Sequence, residues 1–304
     1  MACTEAPEPT IAPAAESYLN EVLDLMEANS INRKTIDWTD LRSKVFEKAG
    51  AAQTIDETYE GIREALTLLG DDHSFVIKPD GTGLAGVGTI RCNIVTVPAV
   101  SVPETVGYVR VPSFSGSEEE ARDFAQAIQD QIQSIDAPTI EGWIVDLRGN
   151  SGGNMWPMLA GIGPILGEGV VGHFIDPDDN QSAWEYRDGT SISNGFRVTQ
   201  APNPHQLINP EPRVAVLLDN GVASSGEAVA IAFVGRENTR SFGSPTCGLS
   251  TANAGYTLSN DAQLFLTVSY MADRNKNLFG TPVPPDEAVP PQDIIERAVA
   301  WVRE

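Results

Sequence analysis

The stretch Asp219-Asn220-Gly221-Val222-Ala223-Ser224-Ser225-Gly226-Glu227 does most to limit what this chain can fold into. It is preceded by Val214-Ala215-Val216-Leu217-Leu218, a continuous apolar run of the right length for a buried strand. It is followed by Ala228-Val229-Ala230-Ile231-Ala232-Phe233-Val234, apolar on every face and therefore a buried helix. Two serines thus sit where a strand gives way to a helix. The N–H groups of a first helical turn have no intrahelical acceptor and carry partial positive charge. Two readings of that placement stand side by side. Ser224 can cap the helix, with Glu227 closing a capping box. Alternatively, a serine here can attack a carbonyl while backbone N–H groups hold the resulting oxyanion.

Strand–turn–helix units recur along the chain, so the fold class is α/β. At 304 residues, 41% of them hydrophobic, there is enough for one large α/β domain with a small helical appendage. No apolar run reaches the roughly 18 residues a membrane span needs. A net charge of −22 argues against nucleic acid as a partner, because such proteins present a basic stripe. The acidic residues are dispersed, as on a solvated surface. The three cysteines are Cys3, Cys92 and Cys247. Without a C-x-x-C pair they suggest neither a zinc site nor a thioredoxin-like motif, and no cofactor or metal is expected. Cys92 and Cys247 can pair or stay as separate thiols. Cys3, followed by a Pro/Glu/Thr-rich segment, resembles the mature N-terminus of a lipoprotein. That reading places the protein in the cell envelope or outside the cell, attached to a membrane only through a lipidated Cys3; an ordinary flexible tail is the alternative.

Three regions are expected: a flexible tether over 1–15, a helical subdomain over 16–70 and a catalytic domain over 71–304. Residues 16–28 carry a helical apolar face, a second helix follows Asp37, and a third opens at Thr54-Ile55-Asp56-Glu57 and runs to Leu69, where Gly70 stops it. Residues 82–111 read as strands broken by Gly and Pro, with Gly107–Pro112 the clearest. Ser117-Glu118-Glu119-Glu120 is a capping box opening a helix to about Ile135. A buried strand over 142–147 leads to the turn Arg148–Gly153 and a helix from about Asn154. A hairpin follows over 169–187, and a Pro-rich loop over 200–212. Beyond the serine segment come a short strand at 239–242, two strands over 255–258 and 263–271, and a helix from Pro291 to about Val302.

The three histidines are His73, His173 and His205. Only His73 has neighbouring polar groups, Asp71, Asp72 and Ser74, that can orient or tune an imidazole. The turn Leu147-Arg148-Gly149-Asn150-Ser151-Gly152-Gly153 lets backbone approach a ligand closely, or is a plain tight turn. It lacks the phosphate-loop patterns. The serine segment lacks G-x-S-x-G.

Three segments in order, W-I-V-D-L-R-G-N-S-G-G, V-A-S-S-G-E-A and F-G-S-P-T-C-G-L-S, resemble the tail-specific (C-terminal processing) serine peptidases. G-Y-V-R-V-P-S-F-S and the closing D-R-N-K-N-L-F-G-T-P-V-P-P-D fit the same family. The resemblance implies a crotonase-like core of stacked ββα units and a peptide or protein substrate. It makes Ser224 the nucleophile and gives the oxyanion to the Ser225 N–H and a glycine of the turn, Gly152. The family's processing peptidases pair the serine with a lysine, but Leu249 holds that position here and no lysine lies between Lys78 and Lys276. The linker after His73 is also too short for their inserted PDZ domain. The chain is therefore similar to the branch of the tricorn protease core and the interphotoreceptor retinoid-binding protein repeats. That similarity makes His73 the base, supported by a late carboxylate, Asp273 or, as runner-up, Asp286. The rival function is a non-catalytic module of the same fold that binds a small apolar molecule.

Overall fold

A computed structural model describes residues 10–90, 92–94 and 96–304; Cys3 and most of the expected tether lie outside them. In chain order the elements begin with α1 (Pro13–Asn29), α2 (Trp38–Ala49), α3 (Tyr59–Leu69), β1 (Phe75–Ile77), β2 (Gly83–Ala85) and β3 (Val106–Arg110). They continue with α4 (Glu118–Ile135), β4 (Gly142–Asp146), α5 (Met155–Leu166), β5 (Gly169–Ile175), β6 (Gln181–Arg187), β7 (Thr190–Ser193) and β8 (Phe196–Gln200). The last are β9 (Arg213–Leu218), α6 (Ser225–Phe233), β10 (Thr239–Gly243), β11 (Thr251–Thr257), β12 (Gln263–Asp273), β13 (Glu287–Ala288) and α7 (Ile294–Val302). Two compact units result: residues up to Ile90 with Asn253–Ser269, and Arg91–Ala252 with Tyr270–Glu304. The helical segment is thus not a unit of its own, because a later hairpin returns to it.

In the first unit, α1 buries Tyr18, Leu19, Val22, Leu23 and Met26, and α3 buries Ile62, Ala65, Leu66 and Leu69. Both sets follow the i, i+3, i+4 spacing of one helical face. Burying each large aliphatic side chain contributes about 1.5–3 kcal/mol. Helices α2 and α3 approach closely at Gly61, where a Cβ would lie 2.9 Å from the Val45 carbonyl oxygen. Gly70 ends α3 in the left-handed conformation expected of a stop signal. Strand β1 pairs antiparallel with β2 and with the start of β12, Phe75 opposite Phe265.

The second unit is built on a five-stranded parallel sheet in the order β13-β10-β9-β4-β3. The unbroken apolar run of β9 has a direct cause: the sheet is covered on both faces. Val214, Val216 and Leu218 join the core shared with α4, α5 and α6, while Ala215 and Leu217 join the core shared with α7. Helix α4 opens on the expected box, with the Ser117 N–H donating to Glu120 Oε2 at 2.8 Å. Residues 270–273 of β12 pair with β5, which continues through β6 and β7 to β8 as an antiparallel meander. Strands β7 and β8 are absent from the sequence reading, and the described residues of 86–105 form no strand although strands were expected there. Among the described residues no helix is long and apolar enough to cross a membrane.

Candidate active site

Neighbouring parallel strands deliver the loops at their carboxyl ends side by side, where open α/β sheets place their ligands. Strands β4 and β9 are such neighbours. The loop after β4 runs through Arg148–Gly153, and the loop after β9 runs through Asp219–Ser224. Two hydrogen bonds stitch them, Gly149 N–H to Asp219 Oδ1 at 2.9 Å and Ala223 N–H to the Asn150 carbonyl at 2.9 Å, and at their base the Leu147 N–H donates to the Leu217 carbonyl at 3.1 Å. The base of the first loop is rigid. Arg148 donates to both oxygens of buried Asp146, at 2.9 and 2.6 Å, and the Tyr108 hydroxyl donates to the same carboxylate at 2.7 Å. Burial, aided by that negative neighbour, pushes the Tyr108 hydroxyl pKa upward.

Ser224 stands at φ 52° and ψ −120°. An ordinary N-cap residue has extended backbone. Asp37, Ser117 and Asn154 cap α2, α4 and α5 in that way, with φ of −76°, −68° and −103°. Ser224 is the exception among these, and a non-glycine residue in such a region costs about 1–3 kcal/mol unless its surroundings over-determine it. Glu227, fully buried, supplies part of that determination. Its Oε2 accepts the Ser224 N–H at 3.0 Å, and its Oε1 accepts the Thr246 hydroxyl and, at 2.8 Å, the Gly248 N–H. Burial pushes the Glu227 pKa upward, against the pull of these donors. The Cys247 N–H donates to the Val222 carbonyl at 2.8 Å, and Cys247 is disulfide-bonded to Cys92 with 5.2 Å between the Cα atoms. The pairing that the sequence left open is therefore made, and it holds the segment just before Ser224.

Gly152 is pressed against the serine. A Cβ there would lie 2.9 Å from Ser224 Cβ and 3.0 Å from the Ser225 nitrogen, and its φ of +102° also demands glycine. Its N–H donates to Asn150 Oδ1 at 3.0 Å. Among the described residues the Ser225 N–H has no hydrogen-bond partner, while the Ser225 hydroxyl donates to the Gly153 carbonyl at 2.6 Å. Ser224, Ser225 and Gly152 are thus brought together.

His73 belongs to the first unit, in a turn built by Asp71. One Asp71 oxygen accepts the N–H groups of His73 at 3.0 Å and Ser74 at 2.7 Å; the other accepts the Ser74 hydroxyl at 2.6 Å. Asp72 takes the left-handed conformation between them, at φ 58°. The Thr267 N–H donates to Ser74 Oγ at 2.9 Å, the Thr267 hydroxyl donates to Asn253 Oδ1 at 2.9 Å, and Asn253 Nδ2 donates to the His73 carbonyl at 2.9 Å. The backbone that carries the imidazole is therefore fixed from both sides. Burial lowers the His73 pKa to about 4, with Asp71 pulling the other way. The ring is therefore neutral at pH 7.

Asp273, the carboxylate expected to support His73, belongs to the second unit. Its buried carboxylate is consumed by its own turn, accepting Asn275 N–H at 2.8 Å, Asn277 N–H at 2.9 Å and Asn277 Nδ2 at 2.8 Å. Within its turn, the Asp71 charge opposes the burial-driven fall in the His73 pKa. Asp286, the runner-up, accepts the Ser241 N–H and hydroxyl, each at 2.8 Å. His173 meets the Asp273 carbonyl at 3.2 Å, and His205 meets the Asp136 carboxylate at 2.9 Å. The sequence reading missed Asn150, Thr267 and Asn253; Asp71 was noticed only as a neighbour.

A strained serine between a glycine turn and a buried helix is an arrangement suited to nucleophilic hydrolysis. The model of peptidase family S41 matches residues 105–289, so the chain belongs to that family and is a serine-type peptidase. The nisin-resistance protein of Lactococcus lactis is 26% identical over 294 residues, covering 96% of this chain and 88% of that protein. The carboxy-terminal processing protease CtpA of Bacillus subtilis is 26% identical over 215 residues, covering 68% of this chain but only 41% of that protein. The solved structure of a lipoprotein from Streptococcus agalactiae superposes with a TM-score of 0.74 at 22% identity, covering 100% of this chain and 99% of that one.

Proposed function

We propose that this peptidase hydrolyses peptide bonds through an acyl-enzyme on Ser224, with His73 as the base. The Ser224 oxygen attacks the carbonyl carbon while His73 takes the hydroxyl proton. His73 then returns that proton to the departing amine, and water releases the acyl group by the same route. The Ser225 N–H is the first oxyanion donor. Gly152 is the second, and must share its hydrogen with Asn150 Oδ1. The observation that carries the reading is the backbone of Ser224, strained where three true caps of the same chain are relaxed. The pairing with His73 rests on the family resemblance, on the neutral state of that imidazole and on the fixed backbone that carries it.

The finer fold reading, a crotonase-like core of stacked ββα units, belongs to this proposal, as does a cell-envelope or extracellular location. The nisin-resistance protein and the lipoprotein structure favour that location. The substrate is a peptide or protein. The rival module that binds a small apolar molecule has one observation in its favour: a cavity of about 320 Å³ lined by Val216, Leu218, Phe233 and Phe279, among others. Nothing in that rival requires the strain at Ser224. Turnover of a mixed peptide pool decides between them. Wild-type protein should cleave the pool, and Ser224→Ala and His73→Ala should each fold but lose turnover; cleavage that persists in folded Ser224→Ala ends the proposal.

A further inference from the structure

A cavity of about 400 Å³ in the second unit is lined by residues that include Ser117, Glu118, Arg122, Asn154 and Arg197. Arg122 lies in the second turn of α4 and Arg197 on β8, both exposed. Among the described residues, the side chains of these two arginines make no hydrogen bond, ion pair or ring contact. Every other described arginine is held by a carboxylate or a carbonyl. In a chain with 42 acidic and 20 basic residues, cations left without a partner are the exception. Finding both on one cavity, contributed by separate elements, calls for an anion that is not part of this chain.

The cavity wall begins one residue beyond the glycine turn. Asn154, on its wall, directly follows Gly153, whose carbonyl accepts the Ser225 hydroxyl at 2.6 Å. The Asn154 N–H donates to the Phe114 carbonyl at 2.7 Å, which fixes this wall to the turn. A guanidinium presents a planar fork of donors that matches a carboxylate, and two of them can hold one even beside Glu118. In a chain of net charge −22, two guanidinium groups without a carboxylate partner on one cavity make it a place where a substrate carboxylate would be accepted. We infer that Arg122 and Arg197 bind a carboxylate of the peptide substrate, and so select which peptides are cut and where. This rests on the proposed hydrolase reading. Two sources share that chemistry: the free C-terminal carboxylate, or an Asp or Glu side chain near the cleaved bond.

The test uses a randomised decapeptide library, blocked at the N-terminus and made once as free acids and once as C-terminal amides. Cleavage by wild-type protein and by Arg122→Gln/Arg197→Gln is followed by mass spectrometry. If the terminal carboxylate is bound, the wild type cuts the free acids about two- to fivefold faster, at a constant spacing from the C-terminus, which is the factor an exposed charge pair supplies. If a side chain is bound, acid and amide libraries are cut alike, and products show Asp or Glu enriched at one position. In either case the double substitution brings the preference close to one, and this supports the site. Absence of both preferences in the wild type, or their survival in the variant, overturns it. If neither library is cut, the hydrolase reading fails separately, and retention on immobilised Ser224→Ala protein then tests the site. Free acids or acidic peptides retained over the others, with that retention lost in the arginine variant, uphold the site; uniform retention overturns it.

Discussion

Replacing Ser224 by glycine should remove activity and raise stability. The serine stands at φ 52° and ψ −120°, a region that glycine occupies freely and a residue with a Cβ does not. The strain is about 1–3 kcal/mol. Glycine gives back about 0.5–1 kcal/mol through the greater freedom of its unfolded chain. Ser224→Gly should therefore exceed Ser224→Ala in stability by roughly 0.5–2 kcal/mol, since alanine keeps the Cβ and the strain but loses the same hydroxyl. For a chain of 304 residues that corresponds to roughly 1–3 °C in Tm. Urea and thermal unfolding followed by tryptophan fluorescence suit the comparison, because Trp143 and Trp184 are buried in the same unit as Ser224. Both variants should lack turnover. A glycine variant no more stable than the alanine variant refutes the reasoning, because the backbone of Ser224 would then carry no strain to release.

Two further outcomes follow from the site. The folded pKa of His73 is about 4 against an unfolded value near 6.5, so between those values the unfolded chain binds more protons and stability falls as pH falls. The effect amounts to roughly 3 kcal/mol over that window, and subtracting the pH-stability profile of His73→Gln from that of the wild type should show it; superimposed profiles contradict the burial of a neutral ring. The Cys92–Cys247 bridge spans 155 residues of chain, so in the loop-entropy model its loss costs about 5 kcal/mol. Cys92→Ser/Cys247→Ser should show a lowered urea midpoint and, because Cys247 holds Val222 two residues before Ser224, reduced turnover even where the protein is still folded.

How much of this was legible depended on whether the signal was local. The run Val214–Leu218 announced a strand covered on both faces, and the structure supplies the two covering cores. Ser117 with Glu120, and Gly70, are caps and stops whose chemistry is complete within four residues. Strands β7 and β8 escaped because both are short: Thr190–Ser193 is almost wholly polar, and the brief alternation of Phe196 and Val198 in β8 faces solvent rather than a core. The return of 253–269 to the helical unit depends on pairing with β1, a contact nearly 190 residues distant in sequence. Asp71 was legible only as a neighbour of His73, because a turn residue can tune a nearby imidazole without any motif to advertise it. The strain at Ser224 has no signature in residue type, since the same serine and glutamate would also make an ordinary capping box.

The central claim is that Ser224 is an activated nucleophile. A fluorophosphonate forms a covalent bond only with such a hydroxyl, so intact mass followed by peptide mapping reads the claim without knowledge of the substrate. The account predicts one adduct per chain, on Ser224, absent in Ser224→Ala. A folded protein that takes up no label, or that labels equally when Ser224 is alanine, contradicts it.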